Sequence, residues 1–475
     1  MNRSIRRLYV TLAGGFALLV LMLGYWQVIA AGDLRDRPDN IQAAQAERLI
    51  DRGRILSADG KVLAASRAVR EKGQKVFERL YPQGSLASHV VGYTSQDAKT
   101  GIERTYDRYL SGSFGTEPLL QRLNLSEKEG ANVQISIDTR VQTVAEQQLA
   151  GQRGAVVALD PRTGEVIAMA SSPTFDLQQA VTDFDAIPDD GGPLLNRAVQ
   201  GLYAPGSTFK VVTATAALES GIFQPDSEFP GGSSYETPGG DIRNFGGASY
   251  GPHTLQTALT NSINTTFAQI GDDLGRERLG ATMSAFGFGE RPPLDLPDVA
   301  VSGRRRGDQV LPNDQQGEDT ARIAIGQEQL TVTPLQMAMV AGAIANDGVL
   351  MAPHLMTRIV DRGGSVVQRG EPDEIGQVAS PERAAEVGSM MEDVVREGTG
   401  TAAALSGVGV TVAGKTGTAE SDDPNRNQAW FIGFAPAESP EVAVAVVIED
   451  TSSTGGTVAA PVAAAVIEAA LGVGG

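Results

Sequence analysis

The 475-residue chain has no cysteine, which excludes disulfides, thiolate nucleophiles and cysteine metal sites. Histidine is almost as scarce. His89, His253 and His354 are scattered, which leaves little for zinc, so no metal or other cofactor is expected. His253 is expected in a loop and His354 in the core, and neither sits in a motif that a serine-histidine triad would require. No basic face offsets the net charge of -18, which argues against a nucleic-acid partner. Lysine is missing from most of the chain: after Lys128 only Lys210 and Lys415 remain, while arginine stays plentiful.

With 41% hydrophobic and 20% charged residues the composition is that of a folded protein, and the length suggests two or three domains. Arg3, Arg6 and Arg7 precede an uncharged stretch from Leu8 to Ala31 that ends in Tyr25 and Trp26 and the small residues beyond them. At about 1.5 Å per residue this stretch is roughly 36 Å of helix, enough to span a bilayer. The arginines place the N-terminus inside and the remaining chain outside. A cleaved signal peptide, suggested by the small residues of 28–32, is the alternative, and it exports the same residues.

Residues 33–131 are polar and irregular, with strand-like runs at 54–56 and 61–64 around the turn Asp59-Gly60, and suggest a small extended module. Alternation at 133–137 announces the main domain. A helix over 140–150 follows, with its Glu and Gln residues expected on the exposed face. Two apolar runs, 155–159 and 165–170, flank a Pro- and Gly-containing turn and predict an antiparallel pair. Helical spacing recurs at 208–219, 255–274, 334–345 and 381–396, strands at 430–434 and 442–448, and an alanine-rich helix closes the pattern at 458–471. Trp430 and Phe431 are expected in the core, and 231–247 is expected to be only a glycine-rich loop.

The two retained lysines point to chemistry, because arginine cannot be deprotonated in a protein whereas a buried lysine can serve as a neutral base. Lys210 closes Ser207-Thr208-Phe209-Lys210, and helical geometry puts the serine in a first turn with the lysine one turn on, within reach of the hydroxyl. Burial near another cation, for which Lys415 is the candidate, would lower the Lys210 pKa toward that of a base. The plainer alternative is a capping serine and a surface lysine. Ser262-Ile263-Asn264 lies within a helical stretch, where it could bracket a loop facing a cleft or simply form a cap. Lys415-Thr416-Gly417-Thr418 precedes the strand at 430–434, and there glycine would let a substrate backbone approach while hydroxyls hold a carboxylate.

These three elements, in this order, resemble the active site of penicillin-binding proteins and serine β-lactamases. The segments 154–173 (GAVVALDPRTGEVIAMASSP), 197–210 (RAVQGLYAPGSTFK), 325–355 and 413–436 look like the transpeptidase domain of class B penicillin-binding proteins. Segments 52–65 and 101–112 (GIERTYDRYLSG) look like the family's N-terminal pedestal, so the resemblance covers essentially the whole chain. The pedestal turn Ser57-Ala58-Asp59-Gly60 departs from the Asp-Arg-x-Gly form of many relatives. A short pedestal, a chain end soon after the last helix and arginine-rich, lysine-poor usage resemble the actinobacterial penicillin-binding protein A subfamily.

The resemblance implies an α+β fold, an αβα sandwich in which an antiparallel sheet is flanked by helices, preceded by a small extended pedestal and one transmembrane helix. The expected boundaries are 1–31 for the anchor, 32–131 for the pedestal and 132–475 for the transpeptidase domain. It makes Ser207 the nucleophile, Lys210 its base, Ser262 and Asn264 the proton relay and amide holder, and Lys415, Thr416, Gly417 and Thr418 the substrate-binding strand. The backbone N–H groups of Ser207 and Thr418 would form an oxyanion hole. Implied partners are peptidoglycan stem peptides, covalently bound β-lactams, the membrane and a separate membrane-embedded SEDS-type glycan polymerase. A D,D-carboxypeptidase or β-lactamase would instead pass the acyl group to water, although no Glu-x-x-Leu-Asn element lies between Asn264 and Lys415. A silent scaffold would be expected to lose one of the three elements.

Overall fold

The structure, a computed structural model, describes residues 3–26, 47–95, 98–114, 129–314, 317, 319–419, 423 and 426–473. Helix α1 (Arg3–Gly24) is 22 residues long, with a mean hydropathy of 1.8 over its most apolar stretch and none of that stretch buried. By length and composition it can cross a membrane. Residues 1–2 and 27–31 of the expected anchor lie outside the described residues.

Strands β1 (Ile55–Leu56) and β2 (Val62–Glu71) form the hairpin predicted around Asp59-Gly60, and β3 (Gln74–Leu80) continues it. Ser57 holds the turn: its backbone N–H donates to Lys61 O at 3.0 Å and its hydroxyl to Asp59 Oδ1 at 2.6 Å. The strand expected to open the main domain, β4 (Asn132–Ile135), pairs in parallel with β1 (Val133 opposite Ile55) and antiparallel with Met356–Val360 (Val133 opposite Ile359). With Val366–Arg369 on the outer edge, the result is one six-stranded sheet whose strands come from both halves of the chain. Beneath it, Glu103 is fully buried and accepts from Arg52 at 2.8 Å and from Arg79 Nε at 2.6 Å. Burial alone would raise the Glu103 pKa, but the charges of Arg79 and Arg52 hold it below the usual carboxylate range.

Helix α2 (Thr139–Leu149) forms where predicted, but Gln142 on it is not at the surface. It is fully buried, donating to Met169 O at 2.9 Å and accepting from Met169 N at 2.8 Å, so it completes the backbone pairing of a sheet edge. That sheet has five strands. The predicted hairpin β5 (Gly154–Leu159) and β6 (Val166–Ser172) lies at one side, and β7 (Ala413–Ala419), β8 (Asn427–Ala435) and β9 (Val442–Thr451) complete the order β7-β8-β9-β5-β6, all antiparallel.

Period-two alternation divides these strands between two cores. Val157, Ala445 and Ile432 face one, and Val156, Val444 and Phe431 the other. Each fully buried Val or Ile adds on the order of 1.5–3 kcal/mol. The first core is covered by α3 (Lys210–Glu219), α4 (Leu255–Thr260), α5 (Asn264–Ala285), α6 (Pro334–Ala345) and α7 (Pro381–Arg396). The second is covered by α2 and α8 (Gly455–Leu471), which makes the αβα sandwich that was expected. Trp430 and Phe431 are fully buried, as anticipated. The histidines are distributed otherwise than expected: His253 is the buried one, bonded to Gly251 O at 2.7 Å and Thr266 Oγ1 at 2.8 Å, whereas His354 is half-buried.

Candidate active site

The serine lies on a 3-10 turn, Gly206–Phe209, that leads directly into α3. Gly206 has φ +50°, and a Cβ there would sit 3.0 Å from Thr418 O, so the turn approaches β7 closely only because residue 206 is glycine. The loop before it is anchored to the sheet. Trp430 Nε1 donates to Ala204 O at 3.0 Å, and the Tyr203 hydroxyl donates to Glu449 Oε1 at 2.5 Å beside Arg197 Nε at 2.8 Å.

Lys210 is fully buried one turn beyond Ser207, but its hydrogen bonds do not go to that serine. Nζ donates to Ser262 O at 2.7 Å, to Ser262 Oγ at 3.2 Å and to Asn264 Oδ1 at 2.6 Å, and it lies 5.5 Å from the Phe267 ring centre. Its pKa is held well below the ordinary lysine value, first by burial and then by the charge of Lys415. The predicted helix 255–274 is in fact interrupted at this point. α4 ends at Thr260, α5 begins at Asn264, and Ser262 between them has φ +58°. A left-handed serine is strained, and the break is what turns Ser262 and Asn264 toward the lysine.

The Lys-Thr-Gly-Thr run precedes the strand at 427–435, as expected, and is itself a strand. β7 pairs with β8 so that Lys415 lies opposite Ile432 and Gly417 opposite Trp430. Lys415 is fully buried, donates to Thr416 O at 3.0 Å, and has its pKa lowered by burial to about 7. A Cβ on Gly417 would come within 2.9 Å of Pro205 O and of Thr208 Cγ2, so this glycine makes room for the serine-bearing turn. This packing role stands beside the close approach of substrate expected from sequence, since Gly417 also lines the neighbouring cleft.

A cleft of about 600 Å³ opens among these elements. Ser207, Ser262, Asn264, Thr416, Gly417 and Thr418 line it, and Lys210 and Lys415 lie buried behind that lining. All eight residues singled out in the sequence therefore meet at one place. The opposite wall was missed. It is formed by 241–246 and Tyr250 of the glycine-rich segment 231–251, held by Asn244, which donates to Gly232 O and Ala248 O at 3.0 Å and accepts from Thr265 N at 3.0 Å, while Asn264 Nδ2 donates to Arg243 O at 2.9 Å. Phe245 on this wall is 70% exposed. Arg322, which itself lines the cleft, braces the segment by donating to Gly239 O at 2.8 Å and Gly240 O at 2.9 Å. Thr399 also lines the cleft, and its only local signal was the Gly-Thr-Gly sequence around it.

The fold and this arrangement define a penicillin-binding transpeptidase. Residues 154–468 match the penicillin binding protein transpeptidase domain and residues 52–133 the penicillin binding protein A dimerisation domain. The chain belongs to the penicillin-binding protein transpeptidase family, in its class B. It is 36% identical to peptidoglycan D,D-transpeptidase PbpA of Mycolicibacterium smegmatis, with 99% of each chain covered, and 34% identical to the Mycobacterium tuberculosis protein of the same name, again over 99% of each. The penicillin G acyl-enzyme complex of M. tuberculosis penicillin-binding protein A superposes with a TM-score of 0.78 at 32% identity, covering 89% of this chain and 100% of that one. A D,D-transpeptidase domain structure from Eggerthella lenta gives 0.77 at 38% identity, covering 89% and 99%.

Proposed function

We propose that this protein is a peptidoglycan D,D-transpeptidase that works through a serine ester at Ser207 and is inhibited when β-lactams acylate the same oxygen. The observation that carries the reading is the buried Lys210 amine, bonded to Ser262 and Asn264 directly behind the cleft that Ser207 lines. Its lowered pKa favours the neutral form, which keeps two N–H donors and gains a lone pair. Of its three partners only the Ser262 hydroxyl can reverse and donate to that lone pair, which links Lys210 to Ser262 for proton transfer.

Ser207 Oγ loses its proton to Lys210 as it attacks the carbonyl of the penultimate D-alanine of a stem peptide. The backbone N–H groups of Ser207 and Thr418 receive the oxyanion. The C–N bond then breaks, the proton returns through Ser262 to the leaving amine, and terminal D-alanine departs, leaving the ester. An amine from a neighbouring stem peptide attacks that ester and gives up a proton, and the C–O bond breaks to restore the Ser207 hydroxyl and form the cross-link. Asn264 holds the substrate amide, and Lys415, Thr416 and Thr418 hold its carboxylate, with Gly417 letting the serine turn close on the strand.

Residues 1–31 are read as the anchor, with the N-terminus cytoplasmic, 32–131 as the pedestal and 132–475 as the extracytoplasmic catalytic domain. The arginines before α1 support this orientation. A separate SEDS-type glycan polymerase in the membrane is the partner that would supply strands, meeting the pedestal and α1.

Labelling of purified membranes with a fluorescent penicillin, followed over hours, tests the reading. A stable band that Ser207→Ala abolishes is the expected result. A wild-type protein that takes no label would be a silent scaffold, and one that sheds the label within minutes would be a hydrolase.

A further inference from the structure

Thr399 stands in the turn that follows α7, 17 residues before Thr416 and on a different element, yet the two hydroxyls are 2.5 Å apart. Both residues line the cleft, but unequally: Thr416 is 6% exposed, whereas Thr399 is exposed to solvent. The turn that carries Thr399 is fixed on both sides. Its N–H donates to Thr260 O at 3.4 Å, and Gly400 N donates to Val394 O at 2.9 Å. A Cβ on Gly398 would lie 2.4 Å from Thr260 O, and one on Gly456 the same distance from Thr399 O. The backbone is thus held between α4 and the first turn of α8, which leaves the Thr399 hydroxyl little choice of position.

A threonine hydroxyl has one proton to donate. Free to rotate, Thr416 could spend it on water or on a neighbouring carbonyl. A second hydroxyl at hydrogen-bond distance fixes the direction of that proton, because the pair forms a donor-acceptor series ending on the group with no proton of its own. A carboxylate is such a group. Lys415, whose amine is fully buried and donates to Thr416 O, contributes charge behind the threonines and does not set the direction of the Thr416 proton.

We propose that Thr399 is a positioning residue of the subsite for the substrate carboxylate, aiming the Thr416 hydroxyl at that anion through the bond between their oxygens. This rests on the serine acyl-transfer reading above. It adds a third hydroxyl to the two on β7, contributed by a turn that the Lys-Thr-Gly-Thr element does not contain.

The test compares acylation of the full chain, in detergent, by benzylpenicillin and by its methyl ester, which lacks the anionic carboxylate. Wild type should prefer the acid. Thr399→Val should slow acylation by the acid about tenfold, the usual scale for losing a hydrogen bond that serves a charged group, and leave the ester rate unchanged. Thr399→Ser, which keeps the hydroxyl, should restore the preference. The ratio of the two rates in one preparation does not depend on how much of the variant is folded. Equal slowing of acid and ester by Thr399→Val, or no change in either, overturns the proposal, as does a wild type without preference for the acid. A wild type that neither compound acylates removes the serine acyl-transfer reading itself, a result distinct from the others.

Discussion

Lys210 and Lys415 are both fully buried, and the charge on Lys415 helps to depress the pKa of Lys210. Two amines shut away from solvent next to one cleft are costly to protonate, and that cost is what would suit one of them to the proposed role of base.

The pH dependence of acylation should follow from this pair. The rate constant for benzylpenicillin should rise with pH through the lowered pKa of Lys210, as that amine becomes neutral. Loss of the Lys415 proton, at about pH 7, should oppose that rise by removing a charge that would attract the carboxylate. Replacing Lys415 with Met removes a like charge, so the acidic limb should move to higher pH. Stopped-flow acylation across pH 5–10 measures both effects, and an unchanged acidic limb in Lys415→Met would show that the two amines are not coupled.

Stability should carry the opposite mark. Lys415 titrates near 7 in the folded protein and at 10.5 when free, so between those values the unfolded chain binds more protons and stability rises with pH. Below about 7 the full penalty applies. Lys415→Met should therefore stabilise the protein at pH 6, by on the order of 5 kcal/mol before any packing loss, with the gain shrinking toward pH 10. Thermal unfolding at the two pH values tests this, and a gain independent of pH would contradict it.

Gly417→Ala should damage the site without touching any group that does chemistry. The added methyl would meet Pro205 O and Thr208 Cγ2 at 2.9 Å and Thr208 N at 3.1 Å, and two of those atoms are backbone. Pushing the serine turn off β7 should cost about 1–3 kcal/mol and displace Ser207 from the Thr418 N–H, for an acylation loss of about 100-fold. Acylation kinetics and melting temperature, taken together, would show a rate loss larger than the stability loss can explain.

In the pedestal, Glu103→Gln should be severe for folding and mild for the cleft. It removes the charge that both Arg52 and Arg79 face, leaving the buried Arg79 guanidinium without its ion-pair partner and Arg52 with Asp107 alone, at a cost of about 3–5 kcal/mol. The wild-type contribution is present above the ordinary glutamate pKa and is lost as pH falls through the depressed folded value, so the variant should be less acid-sensitive as well as less stable. Limited proteolysis of the region around residues 47–110, set beside penicillin labelling of the same sample, separates the two effects.

Much of the scaffold was legible because it is local. Pro334–Ala345 and Pro381–Arg396 form helices with the predicted bounds, each with a proline in its first turn, and the antiparallel pair at 154–172 follows from two apolar runs around a turn sequence. Helical spacing failed at 255–274, since periodicity does not register a single left-handed residue, and Ser262 at φ +58° breaks the stretch. Polar side chains misled for a related reason: Gln142 has the composition of a surface position, but its amide matches the exposed edge of β6 and is buried there.

The sequence by itself determined which groups are available for chemistry and their short-range order: a serine three residues before a lysine, two lysines kept among arginines, a glycine between two threonines. Only the tertiary structure decided what each of them touches. Lys210 bonds across 52 and 54 residues to Ser262 and Asn264, Thr399 meets Thr416 from another element, a glycine-rich loop becomes the cleft's far wall, and β4 joins strands from both halves of the chain. Such pairings depend on how distant segments pack, and packing energy is a property of the assembled core that no window of neighbouring residues contains.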